Sequence, residues 1–126
     1  MPKFELNHLE LPPRYLAMVQ ALLREYLPQA EVWAYGSRVL GGCYEASDLD
    51  LVVRKPCNLT EVTESLWEVQ EAFIESDLPI QVQIVDWARI PVAFHKEIDI
   101  GYIVLQEPLP VVIEGGSCMI CCCKAR

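Results

Sequence analysis

The amino-acid sequence predicts a single small α/β (α+β) domain, and three observations carry that expectation. Segments of helical and strand periodicity follow one another in the order helix, strand, strand, helix, strand, helix, strand. The chain has 126 residues, enough for one core and too few for two. Hydrophobic residues make up 52% of it, too many for a disordered segment, yet no run approaches the roughly 20 apolar residues of a membrane span.

Each element has its own warrant. Pro12-Pro13 opens a helix whose apolar positions Tyr15, Leu16, Val19, Leu22, Leu23 and Tyr26 share one face, and Pro28 closes it. Glu31 to Tyr35 is short, mostly apolar and reads as a strand. Gly36-Ser37 breaks it, leaving loop or a brief helix as far as Ala46. Asp48 to Arg54 reads as a second strand, stopped by Pro56. Asn58 or Thr60 would cap the next helix, which reaches Ser76 with a core stripe of Val62, Leu66, Val69 and Phe73. Pro79 precedes a third strand, Ile80 to Asp86. Pro91 fits the first turn of a short helix ending near Ile100, and Tyr102 to Leu105 forms the last strand. The domain is expected to span residues 1–106, with 107–126 a cysteine-rich, flexible tail.

Charge narrows the function. Ten Lys plus Arg against eighteen Asp plus Glu give a formal net charge of −8, which argues against a protein that coats nucleic acid. The start, Met1-Pro2-Lys3-Phe4-Glu5, lacks a signal-peptide pattern, so a soluble cytoplasmic protein is expected. Six cysteines complicate this: Cys43 and Cys57 in the body, and Cys118, Cys121, Cys122 and Cys123 near the end. A secreted disulfide scaffold would spread them through a shorter chain. The terminal group holds a CxxC without a second pair at zinc-finger spacing, so a loose reduced tail is preferred to a structural zinc site. Glu61, Glu64, Glu68, Glu71 and Glu75 form a stripe at helical spacing, either a solvated face or a docking surface for a basic partner protein.

The informative segment is Gly36-Ser37-Arg38 followed by Asp48-Leu49-Asp50-Leu51. Residues two apart on a strand point the same way, so Asp48 and Asp50 share one face and the two leucines the other. Adjacent carboxylates repel, and oxygen pairs of this kind suit Mg²⁺, although a solvated pair near a strand start is the plain alternative. Gly36 lets a phosphate approach the backbone, Ser37 adds a hydroxyl donor and Arg38 a permanent charge suited to phosphate oxygens. Ser37 as an acyl-transfer nucleophile is disfavoured, because neither His8 nor His95 stands in a triad context, and both histidines read as surface residues.

Taken together, Gly36-Ser37, ten residues, then Asp48-x-Asp50 resembles the motif of the DNA polymerase beta nucleotidyltransferase superfamily. The run VWAYGSRVLGGCYEASDLDLVV, Val32 to Val53, is similar to the stand-alone minimal nucleotidyltransferases of bacteria and archaea. So are Leu78-Pro79, Val85-Asp86-Trp87 and Tyr102-Ile103-Val104-Leu105-Gln106, the resemblance covering roughly residues 6 to 106. It implies a polymerase-beta-like core, a mixed sheet with helices packed on one face. It also implies Gly36, Ser37 and Arg38 at the triphosphate of ATP, and Asp48 and Asp50 as catalytic ligands of Mg²⁺. Members of this family are often encoded beside a HEPN-domain toxin, act as its antitoxin, and in some cases transfer AMP to a tyrosine of that partner.

The chain departs from the family at one position. The superfamily needs a third carboxylate on a later strand, and the resemblance aligns Gln83 with it. Strand parity agrees, placing Gln81 and Gln83 on a polar face and Val82, Ile84 and Asp86 on the opposite one. Asp86 could serve only if the strand bulged or ended before it. Two readings follow: a minimal nucleotidyltransferase weakened by Gln83, or a catalytically degenerate module that neutralises its partner by binding it. Transfer to a small substrate, as in aminoglycoside-modifying relatives, is disfavoured because no chain remains for their additional helical domain.

Overall fold

The computed structural model describes residues 3–41, 47–55, 59–63 and 66–108. Cys43, Cys57, Asn58, Glu64 and the terminal segment with Cys118 to Cys123 lie outside the described residues.

In chain order the elements are β1 (Lys3–Phe4), a 3-10 turn (Leu6–His8), α1 (Pro13–Tyr26), β2 (Glu31–Tyr35), α2 (Ser37–Leu40), β3 (Leu49–Arg54), α3 (Leu66–Glu75), β4 (Val82–Asp86), α4 (Val92–Asp99) and β5 (Tyr102–Gln106). The five strands form one mixed sheet in the order β1-β5-β2-β3-β4. β2 runs antiparallel to β3 and β5, β3 pairs parallel with β4, and β5 parallel with β1.

Alternation along the strands builds two separate apolar layers. Val32, Ala34, Leu49, Leu51, Val53, Ile84 and Ile103 face α1 and α3, which bury Val19, Leu23, Val69 and Phe73 against them. The opposite face carries Trp33, Val52 and Trp87, covered in part by Ile98 and Phe94 of α4. The two long helices thus share one face, while the short α4 lies on the other, an exception to the one-face expectation. Its cause is aromatic. Arg54 lies over the Trp33 and Trp87 rings at 4.0 and 4.6 Å and ion-pairs with Glu31. Tyr102 stacks on Trp33, and His95 of α4 stacks on Trp87 at 3.9 Å, which draws that histidine out of the surface role expected for it.

Two boundaries differ from expectation for a reason outside the local sequence. Residues 59–63 are not helical, and α3 is described only from Leu66. The Thr63 N–H donates to the Asp86 carboxylate at 2.6 Å, which holds this segment to the end of β4. Val62, expected on the core stripe, is therefore exposed, while Thr63 is buried. At the sheet edge the Gln70 side chain donates to the Val82 carbonyl at 2.6 Å and accepts from the Ile84 N–H at 3.3 Å. A carboxamide thereby occupies two ladder positions of β4 that no further strand takes among the described residues.

Candidate active site

The face shared by Trp33 and Val52 carries the predicted acids at its other end. β2 ends at Tyr35, whose cross-strand partner is Asp50. Asp50 is in turn the partner of Gln83 on β4. Partners in register point to the same side of a sheet, so Tyr35, Asp50 and Gln83 stand in a row across three strands. Asp48, two residues ahead of Asp50, shares that side and is exposed.

Gly36 follows Tyr35 with φ +84 and ψ −156, a region nearly exclusive to glycine. A Cβ at this position would lie 2.5 Å from Asp50 Oδ2. The glycine therefore serves two ends: it turns the chain out of β2 and leaves room for the carboxylate. Its carbonyl accepts from the Val39 and Leu40 N–H groups, closing α2 directly beyond the strand.

Electrostatics marks the same spot. Burial, then the neighbouring Asp48, raises the Asp50 carboxyl above its ordinary range. Burial and then the charge on Asp50 push the Tyr35 phenol up to about 12. Tyr35 meets the edge of Phe94, so α4 bounds this end of the face with an aromatic pair. Sequence reasoning did not single out Tyr35; its signal was register, as the last strand residue before Gly36.

Arg38, expected at the triphosphate, is tied to backbone carbonyls. It is 4% exposed, donating from Nε and Nη2 to the Ser47 carbonyl at 3.1 and 2.9 Å and from Nη1 to the Glu10 carbonyl. The guanidinium holds the segment entering β3 to the one entering α1. Asp86 is likewise structural. It pairs with Val53, on the α1/α3 side of the sheet, is 3% exposed, and accepts from the Thr63 and Ala88 N–H groups.

The donor set that remains is Asp48, Asp50 and the neutral side chain of Gln83. Among the described residues there is no cluster of three or more metal-ligating acids, histidines or cysteines. Two adjacent carboxylates, one with its charge opposed by burial, fit a single oxygen-liganded divalent cation. They do not supply the charge for two.

Comparison with known proteins agrees with this geometry. Residues 5–99 match the family described as "Poly(A) RNA polymerase, mitochondrial-like, central palm domain". The "Probable protein adenylyltransferase MntA" of Haemophilus influenzae is 38% identical over 99 residues, spanning 79% of this chain and 85% of that protein. A chain in the "Crystal structure of the toxin-antitoxin with AMP-PNP" shares the fold with a TM-score of 0.59, at 20% identity and 73% coverage of each chain. Sheet, helices and strand-borne carboxylates define a nucleotidyltransferase palm domain. Within that class the chain belongs to the minimal nucleotidyltransferases. Among the described residues no helix is long and apolar enough to cross a membrane.

Proposed function

We propose that this protein is the antitoxin partner of a HEPN-domain toxin and transfers AMP from ATP to a tyrosine hydroxyl of that toxin, slowly. The observation that carries this reading is the row Tyr35, Asp50, Gln83, with an amide where a third acid would complete the site. Its support beyond the site is the 38% identical adenylyltransferase and the toxin–antitoxin fold neighbour.

Asp48 and Asp50 would hold one Mg²⁺, and Gly36 and Ser37 would receive the triphosphate beyond the end of β2. When bound, the cation supplies neutralisation of phosphate charge. The acceptor oxygen bonds to the α-phosphorus, the bond to pyrophosphate breaks, and the acceptor's proton must leave. Asp50 stands beside the reacting groups but is committed as a ligand, and Gln83 is no base. Proton transfer therefore falls to solvent or to the substrate itself, and the rate suffers. The same amide favours a second reading, in which the chain neutralises its toxin by binding alone.

The deciding measurement incubates the protein with labelled ATP, Mg²⁺ and the co-expressed toxin. Slow labelling of the toxin that Asp48→Asn abolishes is expected. A stable complex with no label after long incubation would establish the binding module instead.

A further inference from the structure

The outer face of α3 carries two of the most exposed large apolar side chains among the described residues. Trp67 and Ile74 are 67% and 66% exposed and lie seven residues apart, so they stand above one another on one side of the helix. On their inner side runs the seam between α3 and the β4 edge. A hollow of about 350 Å³ there is lined by Thr63, Leu66, Trp67, Gln70, Ile84 and Arg89. Thr63 is 5% exposed, and its hydroxyl has no hydrogen-bond partner among the described residues. Beyond Gln70 a second hollow, about 390 Å³, continues past Ile74 to Gln83. On the outer side of the apolar pair stand Glu71, Glu75 and Glu68, all exposed.

We propose that this strip is the docking surface for a protein partner that presents apolar side chains flanked by lysine or arginine. The Trp67 and Ile74 pair is apolar and its outer rim acidic, while Arg89 on the inner side is ion-paired with Asp86, the pattern of an interface with an anchor and a charged border. A second copy of this chain fits poorly, because a two-fold contact would set the Glu71 and Glu75 rims against each other. Strand addition fits poorly too, since Gln70 already takes the Val82 carbonyl and the Ile84 N–H. The hollow reaches Gln83 on the border strand β4, whose side chain stands with Asp50 on the face opposite α3, so a partner seated here would reach the candidate active site around the β4 edge. The proposal deepens the reading above by placing the acceptor protein on α3.

Its test needs neither nucleotide nor metal, so its failure and a failure of AMP transfer are separable. Trp33 and Trp87 are buried at 7% and 9% exposure, which makes Trp67 the solvent-sensitive indole of the three. The full-length protein is titrated with two synthetic amphipathic helices, one of Leu and Lys and one of Leu and Glu, while tryptophan emission is followed. Saturable binding of the Leu/Lys helix with a blue shift is expected, weakened at least tenfold by Ile74→Ala and by Glu71→Lys with Glu75→Lys. Glu5→Lys with Glu25→Lys, the same charge change on exposed residues outside α3, is expected to leave binding within twofold. Equal loss in both charge-reversed pairs, equal binding of the Leu/Glu helix, or a dimer by light scattering that Trp67→Ala disperses would each overturn the proposal.

Discussion

Asp50 of β3 and Gln83 of β4 are direct partners in the parallel register, side chains on one face. Three residues further along β4, Asp86 is the partner of Val53 and turns to the other face, into hydrogen bonds with Thr63 and Ala88. The sheet itself thus separates the two candidates for a third acid. Moving Asp86 to the Asp50 side would require a register shift that exposes Val82 and Ile84, both buried against the helices.

A carboxylate restored at that partner position should act as the missing base. Gln83→Asp is expected to raise the rate of toxin labelling by on the order of 10²-fold, the lower end of what a positioned base contributes. Asp86→Asn should leave labelling per folded molecule unchanged while lowering the melting temperature. A rate that follows Asp86 rather than residue 83 would reverse the assignment.

Gly36→Ala tests the closest approach in the site. The backbone conformation alone should cost about 1–3 kcal/mol, read by urea denaturation. The added Cβ would also displace the Asp50 carboxylate, so Mg²⁺ should no longer raise the melting temperature of the variant. A variant that folds normally and still responds to Mg²⁺ would contradict the crowding between Gly36 and Asp50.

The raised Asp50 carboxyl makes a statement about pH. Its folded form holds the proton more tightly than the unfolded chain does, so its contribution favours folding at low pH. That contribution is lost as pH climbs from the ordinary carboxylate value, about 4, through the higher folded value. Asp50→Asn should therefore melt above the wild type at pH 7, with the gap closing as the pH falls below that window. Mg²⁺ should raise the melting point of the wild type and not of the variant.

Arg38 is expected to behave as a strut. Arg38→Met removes charged donors from the Ser47 and Glu10 carbonyls and should cost about 3 kcal/mol in denaturant melts. Nucleotide affinity, measured by titration on the folded fraction, should stay within twofold. A selective loss of affinity at unchanged stability would return Arg38 to the phosphate.

What was legible in the chain was local or periodic. Strands β2 and β4 were visible because alternation and flanking Gly or Pro mark them, and parity alone put Gln83 and Asp86 on opposite faces. Gly36 and Asp48-x-Asp50 come together because β2 and β3 are antiparallel neighbours, as the motif implied. What was not legible depended on distant partners. Arg38 turns inward toward a carbonyl at Glu10, and Thr63, in a non-helical stretch ahead of α3, is held by Asp86. The two-residue β1 exists only through its pairing with β5, and α4 crosses to the far face because Trp87 and Tyr35 offer ring contacts there. None of these leaves a periodic trace in the sequence.

The carboxamide of Gln70 has a consequence for how the chain behaves in numbers. A sheet with open edges is a template, and one molecule can extend the next. Here one border strand is only two residues long and the other is stoppered by a side chain from its own covering helix. Among the described residues, growth by strand addition is opposed at the β4 border and limited at the other. Gln70→Ala should reopen the β4 border, and with it a route to fibres that the native chain keeps shut.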